Sequence, residues 1–135
     1  MNSGAGPVRA LSFLAFDFGT RRTGVAAGNS LLRQATPLKT LALEGDARFA
    51  AIDKLIQAWQ PDALVVGIPF HPDGAAHDNT RRAQRFARQL HGRFRLPVHE
   101  VDERYTTTEA LSGGAADADA AAAAIILDQF LRSLP

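Results

Sequence analysis

Residues 11–18, LSFLAFDF, are nearly continuously apolar, and the chain then turns sharply at Gly19. A short, uniformly apolar run of this kind is a strand covered on both faces, because a half-exposed strand alternates apolar with polar side chains. Such a strand needs neighbours in a sheet and packed layers above and below it, which restricts the chain to a layered α/β arrangement. The run contains one charge, Asp17. Alternation puts it on the side of the strand shared by Leu11, Phe13 and Ala15, where an unpaired carboxylate is costly.

The remaining segments fit that frame. TGVAAG at 23–28 reads as a shorter strand returning through the GTRR turn, giving an antiparallel hairpin. ATPLKTLAL supplies a third strand, its Pro37 tolerable near the start or on a sheet edge. Phe49, Ile52, Leu55, Ile56 and Trp59 recur at steps of three and four, which predicts a helix over 46–60 that Asp46 can cap and Pro61 stops. ALVVGIPF is a central strand closed by Pro69. Asn79 is placed to cap the next helix, whose apolar side holds Ala83, Phe86, Ala87 and Leu90. LPVHEVDE gives the last strand. From Thr106 onward the sequence suggests a short helical piece, a Gly-Gly break and a final helix, with the alanines of 120–124 as ordinary helix formers. The order β-β-β-α-β-α-β-α predicts a mixed five-stranded sheet with helices on both faces.

A chain of 135 residues suffices for one domain, expected over 11–135 behind a flexible leader at 1–10. The absence of cysteine excludes disulfides, zinc–thiolate sites and thiol nucleophiles, so any metal must sit on oxygen or imidazole ligands. MNSGAGPVRA has neither the apolar core nor the charged start of a signal peptide, and no stretch approaches the ~18 apolar residues of a membrane span. A cytoplasmic protein is expected. The net charge of +1 hides an uneven distribution: residues 79–95 hold Arg81, Arg82, Arg85, Arg88, Arg93 and Arg95 and no acid. Such a run is either a solvated helix face or an electrostatic footprint for nucleic-acid phosphates.

Three acids stand where a core-making sequence would not place them. Asp17 is the first, unless it merely caps the following turn. Glu103, at the end of the last strand, shares a side with His99 and Val101. Asp119 is the third: at about 100° per residue, Ile126 and Phe130 fall within roughly 20° of it around the last helix, whereas Asp117 and Asp128 lie about 160° to 180° away. Asp119 therefore faces the sheet near the helix start, Asp117 is suited to be the N-cap, and Asp128 reads as ordinary surface. Carboxylates from a central strand, a neighbouring strand end and the last helix can converge on one edge of the sheet, where they repel unless cations hold them. Hard divalent ions, magnesium or manganese, meet that need, and two of them can activate a water and steady the leaving oxygen of a phosphodiester. In that arrangement Asp17 bridges the ions while Glu103 and Asp119 each anchor one. His71, His77, His91 and His99 suit surface or loop roles.

FLAFDFGTRRTGVAAG, ATPL, LVVGIPFHPDG, DERYTTTEA and DADAAAAAIILDQFL occur in the order found in the YqgF family of RuvC-like pre-16S ribosomal RNA nucleases, also described as Holliday junction resolvase homologues. The resemblance runs from about Leu11 to Leu131. It implies a ribonuclease H-like fold, a magnesium- or manganese-dependent nuclease, and a role in trimming the 5′ end of precursor small-subunit ribosomal RNA, with branched DNA as the alternative substrate. It also implies no membrane partner and a monomer or weak homodimer. The family's acids match Asp17, Glu103 and Asp119, and Arg104, Thr106 and Thr107 stand in the motif expected to position substrate. Many relatives carry a longer basic loop before the last acid, where this chain has only LSGGAAD. That leaves Arg81, Arg82, Arg85 and Arg88 as the expected phosphate-binding groups.

Two other classes share some of these features. DFGT with a following arginine and glycine resembles the phosphate loop of actin-like and sugar-kinase ATPases, which need a second domain to close over nucleotide. An RNA-binding ribosome-assembly factor with weak or no nuclease activity would keep the fold but hold metal poorly.

Overall fold

The computed structural model describes residues 9–105 and 117–135. Its strands are β1 (Ser12–Phe18), β2 (Thr23–Asn29), β3 (Ala35–Leu41), β4 (Ala63–Ile68) and β5 (Val98–Asp102), and its α-helices are α1 (Gly45–Trp59), α2 (Asp78–Phe94) and α3 (Ala118–Arg132), with one 3-10 turn at Glu103–Tyr105. They form one sheet in the order β3-β2-β1-β4-β5. The β1–β2 and β2–β3 pairs are antiparallel, and β1–β4 and β4–β5 are parallel. The predicted element order and mixed sheet hold. Pro37 sits on the edge strand β3, opposite Ala26 where the β2–β3 register shifts, so its missing N–H falls at an irregularity of the ladder.

The two faces of the sheet differ in what they accept. On one, Leu14, Phe16, Val25, Leu64, Val66 and Ile68 pack against α1 and α2 through Phe49, Ile52, Leu55, Ala83, Phe86 and Leu90. Phe86 anchors this layer, edge-on to Phe16 at 5.9 Å and stacked on Phe18 at 4.6 Å. Burying each such ring contributes about 2 to 3 kcal/mol. On the other face the side chains are smaller, with Phe13, Ala15, Ala26, Val65 and Val101 against Ala123, Ile126, Leu127 and Leu131 of α3. The alanines of 120–124 are thus more than helix formers. Ala120, Ala123 and Ala124 are buried and let the helix backbone approach the sheet closely.

Several local expectations need correction. The N-cap of α1 is Glu44 rather than Asp46, and it makes no side-chain cap bond; Asp46 pairs instead with Arg93 of α2. His77, not Asn79, caps α2. Its imidazole Nδ1 accepts from the Asn79 N–H at 3.1 Å, and its own N–H donates to Thr80 Oγ1 at 3.0 Å, a reciprocal capping box. Asp128 is not ordinary surface, because its carboxylate accepts the Ala35 N–H at 2.8 Å and fixes the start of β3. Trp59 ends the α1 stripe half exposed. The helical piece and Gly-Gly break expected between Thr106 and Ala116 lie outside the described residues. Among the described residues no helix is long and apolar enough to cross a membrane.

Candidate active site

Asp17 pairs with Gly24 of β2 and follows Phe16, which pairs with Val66 of β4, so Gly67 is its neighbour on the other side. The acid is therefore flanked by two residues without side chains. The first absence is forced by backbone, and the second leaves room for two side chains. A Cβ on Gly24 would fall 1.8 Å from the backbone oxygen of Asp119, and one on Gly67 would fall 2.4 Å from Ile126 Cδ1 and 3.0 Å from Glu103 Oε1. The first turn of α3 thus lies directly on β2, and the Glu103 side chain lies over β4. Alternation from Phe13 and Ala15 puts Asp17 on the same α3-facing side. The three acids, from sequence positions up to 102 residues apart, share one face and one end of the sheet.

Asp17 and Glu103 are in direct contact through a carboxyl–carboxyl hydrogen bond. Burial raises the Asp17 pKa, the bond to Glu103 lowers it, and the nearby Asp119 charge raises it again, with a net upward shift. Glu103 is pushed up to about 8, first by burial, then by the Asp17 charge and by the bond itself, with Asp102 adding a smaller effect. At neutral pH the pair retains a proton shared across that bond. The two groups behave as one dyad, since like charges in contact cannot both ionise cheaply.

Asp119 completes the set only in part. Its charge reaches Asp17, yet its Oδ2 takes the Arg22 guanidinium through Nε at 2.8 Å and Nη2 at 2.5 Å. Among the described residues no three acidic or histidine side chains are gathered closely enough to cage an ion as they stand. The donor chemistry nonetheless suits a hard divalent cation: two carboxyls in contact, a third within electrostatic reach, and no soft ligand.

Neighbouring groups fix the frame. Asp117 caps α3, accepting the Ala120 N–H at 3.1 Å, as its helical position implies; Thr40 of β3 also donates to it. Arg104 forks Asp102 through Nε and Nη2 at 3.1 and 2.7 Å, which holds that carboxyl below its usual range. Its guanidinium also lies 5.6 Å from the Phe70 ring centroid. An open cleft of about 390 Å³ beside Glu103 is lined by Arg104, Pro69, Phe70 and Pro72. Thr106 and Thr107 fall outside the described residues.

The α2 arginines are not gathered around the acids. Arg81, Arg82, Arg85 and Arg88 are all exposed, but α2 packs on the face opposite α3. Thr80 donates to the Pro69 carbonyl just past the end of β4, so only the first turn, with Arg81 and Arg82, reaches the acidic end of the sheet. Arg88 lines a separate hollow with His91, Pro97, Val98 and Glu100. Sequence reading missed Arg22, Gly24, Gly67 and Arg48. Arg48 is buried among apolar residues of α1, donates to the carbonyls of Leu43 and Thr20 at 2.9 and 2.5 Å, and so braces the turn that bears Arg22.

The dyad makes stability depend on pH. In the metal-free folded protein Glu103 keeps its proton up to about 8, whereas the unfolded chain releases it near 4.5. The resulting stabilisation is fully present below about 4.5 and is lost as pH rises through about 8, because the folded state binds more protons over that interval. Thermal melts in chelator are expected to lose on the order of 2 kcal/mol between pH 5 and pH 9, and Glu103→Gln is expected to flatten the dependence. A metal-free wild type that grows more stable across this range would contradict the shared proton.

A family model described as "RuvX: Holliday junction resolvase" matches residues 11–133. The chain belongs to the RuvX family. RuvX relatives include a Polaromonas protein 73% identical over 124 residues, covering 92% of this chain and 90% of the relative, and a Paraburkholderia phytofirmans protein 54% identical over 133 residues, covering 93% and 91%. Both bear the name "Putative pre-16S rRNA nuclease". Among solved structures, Thermus thermophilus RuvC in complex with a Holliday junction substrate superposes with a TM-score of 0.57 at 12% identity, covering 91% of this chain and 94% of that one. At that identity the likeness concerns the fold, which is ribonuclease H-like. The RuvX assignment agrees with the family that the sequence motifs resemble.

Proposed function

We propose that the protein is a divalent-cation-dependent nuclease that hydrolyses phosphodiester bonds in precursor 16S rRNA, with Asp17, Glu103 and Asp119 as its cation-binding acids. The Asp17–Glu103 dyad at the end of the central strand is the observation that carries the reading. Two half-buried carboxyls in contact are expensive unless a proton or a cation joins them. Two glycines make room for them. When bound, magnesium or manganese supplies Lewis acidity at the phosphate and lowers the pKa of a water.

The chain's own residues divide the remaining work. Asp17 is held on a strand buried on both faces, so its carboxylate has little freedom to drift. Glu103, relieved of the shared proton, and Asp119, from the first turn of α3, would hold the cation beside Asp17. Arg104, fixed by Asp102, borders the cleft beside Glu103 and meets incoming substrate there, a role that the family motif extends to Thr106 and Thr107. Arg81 and Arg82 grip flanking phosphates at the acidic end of the sheet, while Arg85 and Arg88 extend a positive surface along α2.

RNA is favoured over branched DNA by the names of the relatives at 73% and 54% identity. Branched DNA stays a second reading because the matching family model is described as a Holliday junction resolvase. The deciding experiment sets a 5′-extended 16S rRNA precursor and a four-way DNA junction side by side, with manganese or magnesium and with chelator. Metal-dependent cutting of the precursor near its 5′ end, with the junction intact, is expected. Cutting of the junction alone would replace the RNA reading, and cutting of neither would remove the nuclease.

A further inference from the structure

Arg22 sits in the β1–β2 turn, and its guanidinium holds Asp119 across 97 residues of sequence. Its backbone is well anchored. Arg48 donates to the Thr20 carbonyl on one side, and Thr23 enters β2 in register with Phe18 on the other. The Arg22 side chain, by contrast, is 63% exposed, and that of Asp119 is 32% exposed. An ion pair this accessible to water is weak and can separate without opening a cavity or stranding a buried charge. The Asp119 backbone cannot make the same move, because it lies on Gly24. Only the two side chains are free to choose partners.

Those choices exclude one another. With its Oδ2 taken by two guanidinium nitrogens, Asp119 presents a positive neighbour to any cation approaching the Asp17–Glu103 dyad. A cation that recruits Asp119 must first displace Arg22, and the displaced guanidinium is then an exposed fork beside the acids, suited to a phosphate oxygen.

We infer that Arg22 competes with the divalent cation for Asp119 and, once displaced, engages the substrate phosphate. The inference rests on the cation-dependent reading of the site given above. It makes an unusual demand: removing a positive side chain should tighten metal binding while impairing turnover. A residue with a purely structural role would not move the two quantities in opposite directions.

The test is a manganese titration of the full-length, metal-free protein in the absence of RNA. It compares wild type, Arg22→Gln, Asp119→Asn and the double variant. Arg22→Gln is expected to bind manganese about threefold or more tightly than wild type, in line with loss of one exposed ion pair. The gain should vanish in the Asp119→Asn background, and cleavage of the RNA precursor should fall although the metal binds better. In wild type, added magnesium should shift the Arg22 Nε–H resonance. Unchanged or weaker manganese affinity in Arg22→Gln would overturn the inference and leave the metal reading standing. An equal gain in the Asp119→Asn background would overturn it as well, by reducing the effect to overall charge. Absence of manganese binding in both wild type and Arg22→Gln would remove the metal reading itself.

Discussion

Asp17→Asn is expected to reduce metal-dependent RNA cleavage by more than about a hundredfold, exceeding the roughly 10- to 100-fold typical of groups one shell removed from a metal. The substitution is nearly isosteric. The amide oxygen can still accept the Glu103 proton, so the dyad keeps its hydrogen bond and loses its charge. For the same reason the variant should fold, and in chelator its melting temperature should equal or exceed that of wild type, since a neutral amide is cheaper than a carboxylate beneath α3. Activity assays at saturating manganese paired with melts in chelator separate the two effects. Full cleavage by the variant would move the chemistry away from the central strand, and collapse of its fold would make Asp17 a structural acid.

Gly24→Ala should act through a different route and be the more damaging change to the fold. In a strand, alanine is ordinarily better than glycine, which weakens the element by lost chain entropy. Here the sign is expected to reverse. The added methyl would sit 1.8 Å from the Asp119 carbonyl oxygen and 2.2 Å from its carbon, and backbone atoms in a capped helix cannot step aside as a flexible side chain can. Relief requires the first turn of α3 to lift off β2, which uncovers part of the layer formed by Ala26, Ala123 and Leu127. A destabilisation of at least about 3 kcal/mol is expected, at the upper end for overpacking, together with loss of cleavage because Asp119 moves with the helix. Denaturant unfolding measures the first quantity. A variant of wild-type stability would show that α3 is not seated as closely as the structure has it.

What the sequence disclosed was governed by periodicity and what it concealed by distance along the chain. Alternation along LSFLAFDF and the helical period from Asp119 to Ile126 and Phe130 each located an acid on the correct face, because both depend only on local geometry. The same logic found the Asp117 cap. Arg22 with Asp119, Asp128 with Ala35 and Thr40 with Asp117 join residues 77 to 97 positions apart, and no local pattern announces such a pair. His77 was passed over because an imidazole acceptor is a less common cap than the Asn79 beside it. The placement of the α2 arginines needed strand order, which the sequence left open. With β1, β4 and β5 adjacent and parallel, right-handed crossovers put α1 and α2 on one face and leave the other to α3, so the basic helix had to lie across the sheet from Asp17.

The start of α3 is secured from the sheet side. Asp117 is tied to Thr40 of β3, and the Asp119 backbone rests on Gly24 of β2. Both anchors act on Asp117 and Asp119 themselves, the cap and first turn of the helix. Evolution can therefore lengthen, shorten or recharge the connection between the second and third acids without dislodging the third, and a family built this way can diversify its grip on nucleic acid while the chemistry underneath stays in place.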